Sequence, residues 1–211
     1  ATVVAEETAR HLARQPHTEV SVFTARPDLP GRGGAAVRYV ANGLDTLAVG
    51  LAPAADSIAA MDNVQVAAEF ARWVEATRPD IVHFHAMQGL GLGCVRVCME
   101  KAIPYAITLH DAWWLCARQF MVQGDGQVCS QAPIELKLCQ LCLPGAQYLP
   151  ARRDLMHAAL AHPALLLAPS ERHPPLYPAN GFPPAPLRVN RNGSFWPARP
   201  PSPPSPGRAP R

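Results

Sequence analysis

Residues 103–116 read IPYAITLHDAWWLC. From Tyr105 the run is apolar at nearly every position, then stops at His110-Asp111 and passes into two indoles and a cysteine. Apolar character at successive positions, without alternation, marks a strand buried on both faces, as parallel sheets require. Two flanking segments repeat the pattern: DIVHFH (80–85) and ALLLA (164–168).

Helical periodicity fills the spaces between them. Asp62 begins a pattern in which Val66, Phe70, Trp73, Val74 and Thr77 share one face, with Asp62 and Gln65 in a capping-box relation and Pro79 as the stop. A glycine-rich turn, QGLGLG (88–93), leads into a helix through about Lys101, and another helix is expected over 151–162. Upstream, Ala1, Val4, Ala5, Thr8 and Leu12 line a first helix, EVSVFTA (19–25) alternates as a strand, and PGRGG (30–34) is a loop. Asn42-Gly43 is a hairpin turn between AAVRYV and LDTLAVGL. Strands alternating with helices of about a dozen residues predict a Rossmann-like α/β domain, a parallel sheet flanked by helices. The glycines of QGLGLG do not fit G-x-G-x-x-G and lack a well-placed acidic partner, so no dinucleotide site is expected.

The composition sets further bounds. At 211 residues and 48% hydrophobic, the chain is sized for one soluble domain. Its net charge of +3 is uneven: six arginines and no acidic residue follow Glu171, leaving 13 basic against 16 acidic groups before it. The bulk of the chain is therefore no nucleic-acid binder by charge. Fourteen of 24 prolines fall in 169–211, and the end, RPPSPPSPGRAPR, is expected to be a disordered Pro/Ser/Arg-rich tail. No window approaches the roughly 18 apolar residues of a spanning helix. ATVVAEETARHLARQ lacks a secretory layout, so a cytoplasmic location is expected, with no evident membrane association. The excess of arginine over lysine, 17 to 2, fits a GC-rich bacterial genome.

Ligands of open parallel sheets bind beyond the carboxyl ends of the strands. Three strands here end in polar groups: His85, His110-Asp111 and Ser170-Glu171. His110 is the leading functional candidate, Asp111 is a second candidate or a cap for the turn beyond, and His83 is a core histidine. Trp113 and Trp114 are expected to pack the crevice wall. Cys116, Cys129, Cys139 and Cys142 fall in one irregular loop with spacing C-x12-C-x9-C-x2-C. That spacing admits a structural zinc or other thiolate-bound metal, free thiols, or disulfides. Cys94 and Cys98 are four apart on a helix and are expected in the core.

RPDIVHFHAMQGLG, IPYAITLHDAWWLCARQFMVQGDGQVC, the CQLC pair and APSERHPPLYPANGFPPAPLRVNRNG together resemble the N-terminal domain of family 4 glycosyltransferases of the GT-B fold. The resemblance covers residues 1–193. It implies retaining transfer of a sugar from a nucleotide-sugar donor to a glycan, lipid or small-molecule acceptor, with no cofactor required for catalysis. On this resemblance His110 reaches the donor sugar and its phosphate, while His85, Gln88, Gly89 and Ser170 bind substrate. It also implies that the domain lacks its first strand and that the nucleotide-sugar domain is absent, so the chain is expected to be a truncated half, inactive alone. Two other functions fit the same residues: a metal-dependent hydrolase using His83, His85, His110 and Asp111, and a non-catalytic carbohydrate- or partner-binding module.

Overall fold

The computed structural model describes residues 1–29, 35–51, 61–182 and 185–193. The predicted loop at 30–34 and the Pro-rich tail from 194 lie outside these residues.

Helix α1 (Thr2–Leu12) precedes three strands, β1 (Ser21–Arg26), β2 (Ala36–Ala41) and β3 (Leu44–Gly50). β3 lies between the other two, parallel to β1 and antiparallel to β2. The antiparallel pair is the predicted hairpin. Asn42 and Gly43 both adopt positive φ (51° and 81°), the geometry that two-residue turns between twisted strands require. The Asn42 amide also donates to Glu6 of α1 at 2.6 Å, tying the turn to the first helix.

A second, four-stranded sheet is parallel throughout, in the order β4 (Val82–Phe84), β5 (Tyr105–Thr108), β6 (Leu165–Ala168), β7 (Leu187–Val189). β5, β6 and β7 each follow a crossover from the strand beside them. Every residue of β5 is buried, as the unbroken apolar run predicts.

Helix α2 (Val64–Thr77) bridges the two sheets. Its inward face carries Val66, Ala67, Phe70 and Val74. Phe70 packs edge-on against Phe23 of β1 at 5.1 Å between ring centroids and against Phe84 of β4 at 5.9 Å. The expected Asp62/Gln65 capping box is corrected by one residue: Asn63 is the N-cap, accepting from the Val66 amide at 3.1 Å. Asp62 is drawn away by Arg96 of the next helix, whose guanidinium donates to it at 2.6 Å. The helix ends at Arg78, which is left-handed (φ 47°), immediately before Pro79.

Helix α3 (Gly93–Glu100) buries Cys94 and Cys98 on its core face, where burial pushes both thiols up to about 12. The glycine-rich turn before it serves close packing. A Cβ at Gly91 would stand 2.8 Å from the Asn63 backbone nitrogen and 3.0 Å from the Met61 carbonyl oxygen, and its φ is +81°.

Beyond β5, a turn of 3-10 helix (Ala112–Trp114) opens the long loop. Two helices follow, α4 (Leu136–Cys142) and α5 (Leu149–Ala159), then β6, a single turn α6 (Leu176–Ala179), and β7. The helix predicted over 151–162 is shifted two to three residues toward the N-terminus. Pro150 fits its first turn because the amide it lacks has no intrahelical partner there. Leu149, Met156 and Ala159 are buried, and Tyr105 donates to the Ala159 carbonyl at 3.1 Å. No helix among the described residues is long and apolar enough to cross a membrane.

Candidate functional site

The parallel register fixes which polar groups meet. Pairing His83 with Ala106 and Phe84 with Ile107 carries the chain ends of β4 and β5 side by side past the sheet. There the imidazoles of His85 and His110 share a hydrogen bond, Nδ1 to Nε2, at 3.0 Å. His83 stacks on His85 with centroids 4.1 Å apart and exchanges a 2.8 Å hydrogen bond between its Nε2 and Thr108 Oγ1. His83 is thus a satisfied partner of the core, as expected, but it also forms the back wall of the histidine pair.

Burial lowers the pKa of all three rings. For His85 the effect is largest, to about 3, because protonated His83 and His110 would add repulsion to lost solvation. For His110 burial again leads, and Asp111 works the other way. For His83 burial is the cause. The rings are therefore neutral at physiological pH. One nitrogen of the His85–His110 contact carries the proton and the other accepts it.

Asp111 is placed as the cap. Its Oδ1 accepts from the Trp113 amide at 2.9 Å, and its Oδ2 accepts from the Gln119 side chain at 2.6 Å. Both carboxylate oxygens thus hold the turn that carries the tryptophans. Trp114 is buried and Trp113 partly so, and the two meet edge to face at 5.2 Å. This answers the arrangement of IPYAITLHDAWWLC: a buried strand delivers His110 to the sheet edge, Asp111 fixes the turn, and the indoles wall the crevice.

The remaining predicted residues surround this pair at different depths. Gln88 is exposed and Gly89 partly buried, both in the loop after β4, where a Cβ on Gly89 would meet Leu51 at 2.8 Å. Ser170 is exposed at the end of β6, and its neighbour Glu171 accepts from Arg191 at 2.7 Å. His173 is a member that sequence reasoning left out. Its ring lies against the backbone of Leu109 and Asp111 and meets Tyr177 edge-on at 5.6 Å. His173 Nδ1 and the Tyr177 hydroxyl are buried without a hydrogen-bond partner among the described residues. A histidine in a proline-rich segment carries no periodic signal, so only the fold reveals this neighbour.

The four loop cysteines line a separate cavity of about 530 Å³, whose lining includes His157 but not His83, His85, His110 or His173. Arg152, Gln131 and Trp114 also line it. Among the described residues, no three His, Cys, Asp or Glu side chains are already gathered at metal-ligating positions. Asp111 holds the turn, and the facing nitrogens of His85 and His110 are engaged with each other.

No curated protein matches the chain. The family profile of the glycosyl transferase 4-like domain matches residues 1–193, spanning both sheets, the histidine pair and the cysteine loop. A crossover-connected parallel sheet with its polar groups at the strand ends, matched end to end by that profile, places this chain in the glycosyl transferase 4-like family.

Proposed function

We propose that this domain forms one wall of a retaining sugar-transfer site, with His110 set against the phosphate of a nucleotide-sugar donor. The observation that carries the proposal is the His85–His110 hydrogen bond at the carboxyl ends of β4 and β5, where sheets of this kind receive ligands. A neutral imidazole whose partner fixes its tautomer can present one N–H to a developing phosphate charge without first giving up a proton. His85 is a positioning residue in this scheme: it orients His110, while Gln88, Gly89 and Ser170 border the acceptor.

Titrating the protein with nucleotide-sugars while following imidazole C–H resonances tests the assignment. The expected result is a saturable shift of the His110 and His85 signals, lost in His110→Ala. Where transfer is measured, the product keeps the donor's anomeric configuration. Binding of a donor that leaves both rings unperturbed would overturn the proposal.

A further inference from the structure

The long loop after the histidines has no core of its own. From residue 115 to residue 145 not one side chain is buried. Ordering a backbone costs conformational entropy at every residue, and without apolar burial something else must hold such a segment. Its half-buried side chains include four cysteines, which line one cavity together with Leu115, Met121 and Ile134.

Their convergence is built by several independent elements. Cys116 closes the 3-10 turn, its amide donating to the Ala112 carbonyl at 2.7 Å. Cys129 is fixed by its amide donating to the Met121 carbonyl, also at 2.7 Å. Cys139 and Cys142 stand three apart on α4, hence on one side of that helix. All four line the same cavity, and the other three sulfurs are the electrostatic neighbours of Cys139. All six cysteines of the chain are free thiols.

Two polar groups are aimed at the sulfurs. The Gln131 side chain accepts from the Glu135 amide at 2.7 Å, which leaves its NH2 to donate to Cys129 Sγ at 3.6 Å and to lie beside Cys139. Arg152 of α5 is 4% exposed. It donates to the Trp113 carbonyl and lies over the Trp113 ring at 5.5 Å. The ionisable groups that favour its charge are Cys116, Tyr148 and Cys139, none of them a carboxylate. A buried guanidinium without a carboxylate is costly unless negative charge stands nearby.

We propose that Cys116, Cys129, Cys139 and Cys142 bind one thiophilic divalent cation, zinc above all, with Arg152 as the counter-charge of the resulting tetrathiolate. Four thiols release their protons to solvent as they ligate. A zinc tetrathiolate carries two negative charges, which Arg152 partly offsets, while the Gln131 amide donates to sulfur. The cation must draw the thiols inward by side-chain rotation, since they share a cavity wall and are not yet at ligand distances. The site would clip the loop to α4, with Arg152 reaching it from α5, and so hold the turn that carries Asp111 and the tryptophans. It takes no part in the sugar chemistry.

Metal analysis of the chain purified without chelator tests this. The expected result is one zinc per chain, lost in each of Cys116→Ser, Cys129→Ser, Cys139→Ser and Cys142→Ser and retained in Cys98→Ala. Because a serine variant can fail to fold, cobalt(II) titration of the unaltered chain provides a second readout. It is expected to saturate at one equivalent with the tetrahedral spectrum of four sulfur ligands. In Arg152→Met the affinity for cobalt should fall about tenfold or more, by analogy with other outer-shell partners. A metal-free chain whose four thiols all react with a thiol reagent in the folded state would overturn the proposal, as would a Cys139–Cys142 disulfide. A cobalt spectrum of only two sulfurs would overturn it too.

Discussion

Nδ1 of His85 and Nε2 of His110 lie 3.0 Å apart, one strand end handing its imidazole to the next. Such a pair accommodates one added proton, because a second would leave two N–H groups facing each other. It therefore titrates as a unit and not as two independent rings.

This arrangement sets the acid response of the fold. Burial holds both rings below the ordinary histidine value, His85 at about 3. In the unfolded chain each takes up a proton near pH 6.5. Between those values the unfolded state binds more protons, so stability is complete above about pH 6.5 and is lost as the pH falls. The melting temperature is expected to drop steadily from pH 7 to pH 5, and His85→Leu to shrink that drop. A melting temperature flat across this range would refute the account.

Asp111 is expected to act through its shape and not its acidity. Asn is as good an N-cap as Asp, and the Gln119 amide can turn over to accept from the new NH2, so Asp111→Asn should leave stability within about 0.5 kcal/mol, whereas Asp111→Ala should cost about 1 kcal/mol. Urea unfolding of the two variants decides the matter. Equal losses would mean that the carboxylate charge, not the cap to Trp113, holds the turn.

Gly91 makes a steric prediction. With φ at +81° and backbone atoms of Met61 and Asn63 in the space that a Cβ would take, Gly91→Ala cannot relax by moving a side chain. A loss of about 2 kcal/mol is expected, from backbone strain together with the displaced Met61–Leu92 hydrogen bond of 2.6 Å. Gly126, with the same sign of φ but nothing near its Cβ, serves as the comparison and should lose less on substitution by alanine.

Phe70 is 2% exposed and touches aromatic rings from both sheets. Phe70→Ala is expected to cost about 3–5 kcal/mol, the range for a buried phenylalanine that leaves a cavity. Val64, on the exposed side of the same helix, should tolerate alanine with a change under about 0.5 kcal/mol. Denaturant midpoints of the pair give the comparison.

Much of this molecule is legible in the sequence where burial is complete. DIVHFH, PYAITLH and ALLLA declare their strands because β5 is buried throughout and β4 and β6 turn no strand residue fully to solvent, so the apolar run is little diluted. The Asn42-Gly43 turn is equally plain, since few other dipeptides accept two positive φ angles. Asp62 misleads because it is a good cap residue taken by a more distant partner, Arg96, which local pattern cannot show. Helix α4 goes unrecognised for a different reason: its seven residues have no buried face to impose a period. At the site, His85 and His110 are each visible as strand-end histidines. Their contact depends on the β4–β5 register, and that of His173 depends on where α6 packs.

The Asn42-Gly43 hairpin has a consequence for the order of folding. β2 and β3 are joined by two residues and can pair within about 1–10 μs, the ordinary time for a hairpin. Pairing β4 to β7 requires three crossovers, and the β5–β6 pairing joins residues nearly sixty apart, such as Ala106 and Leu165. Pairing at that separation is slow because the intervening loop must close first. The nascent chain therefore holds a formed hairpin while the apolar strands of its parallel sheet are still unpaired. That interval is when the chain is exposed to aggregation, and slower synthesis at low temperature is the condition that should raise its soluble yield.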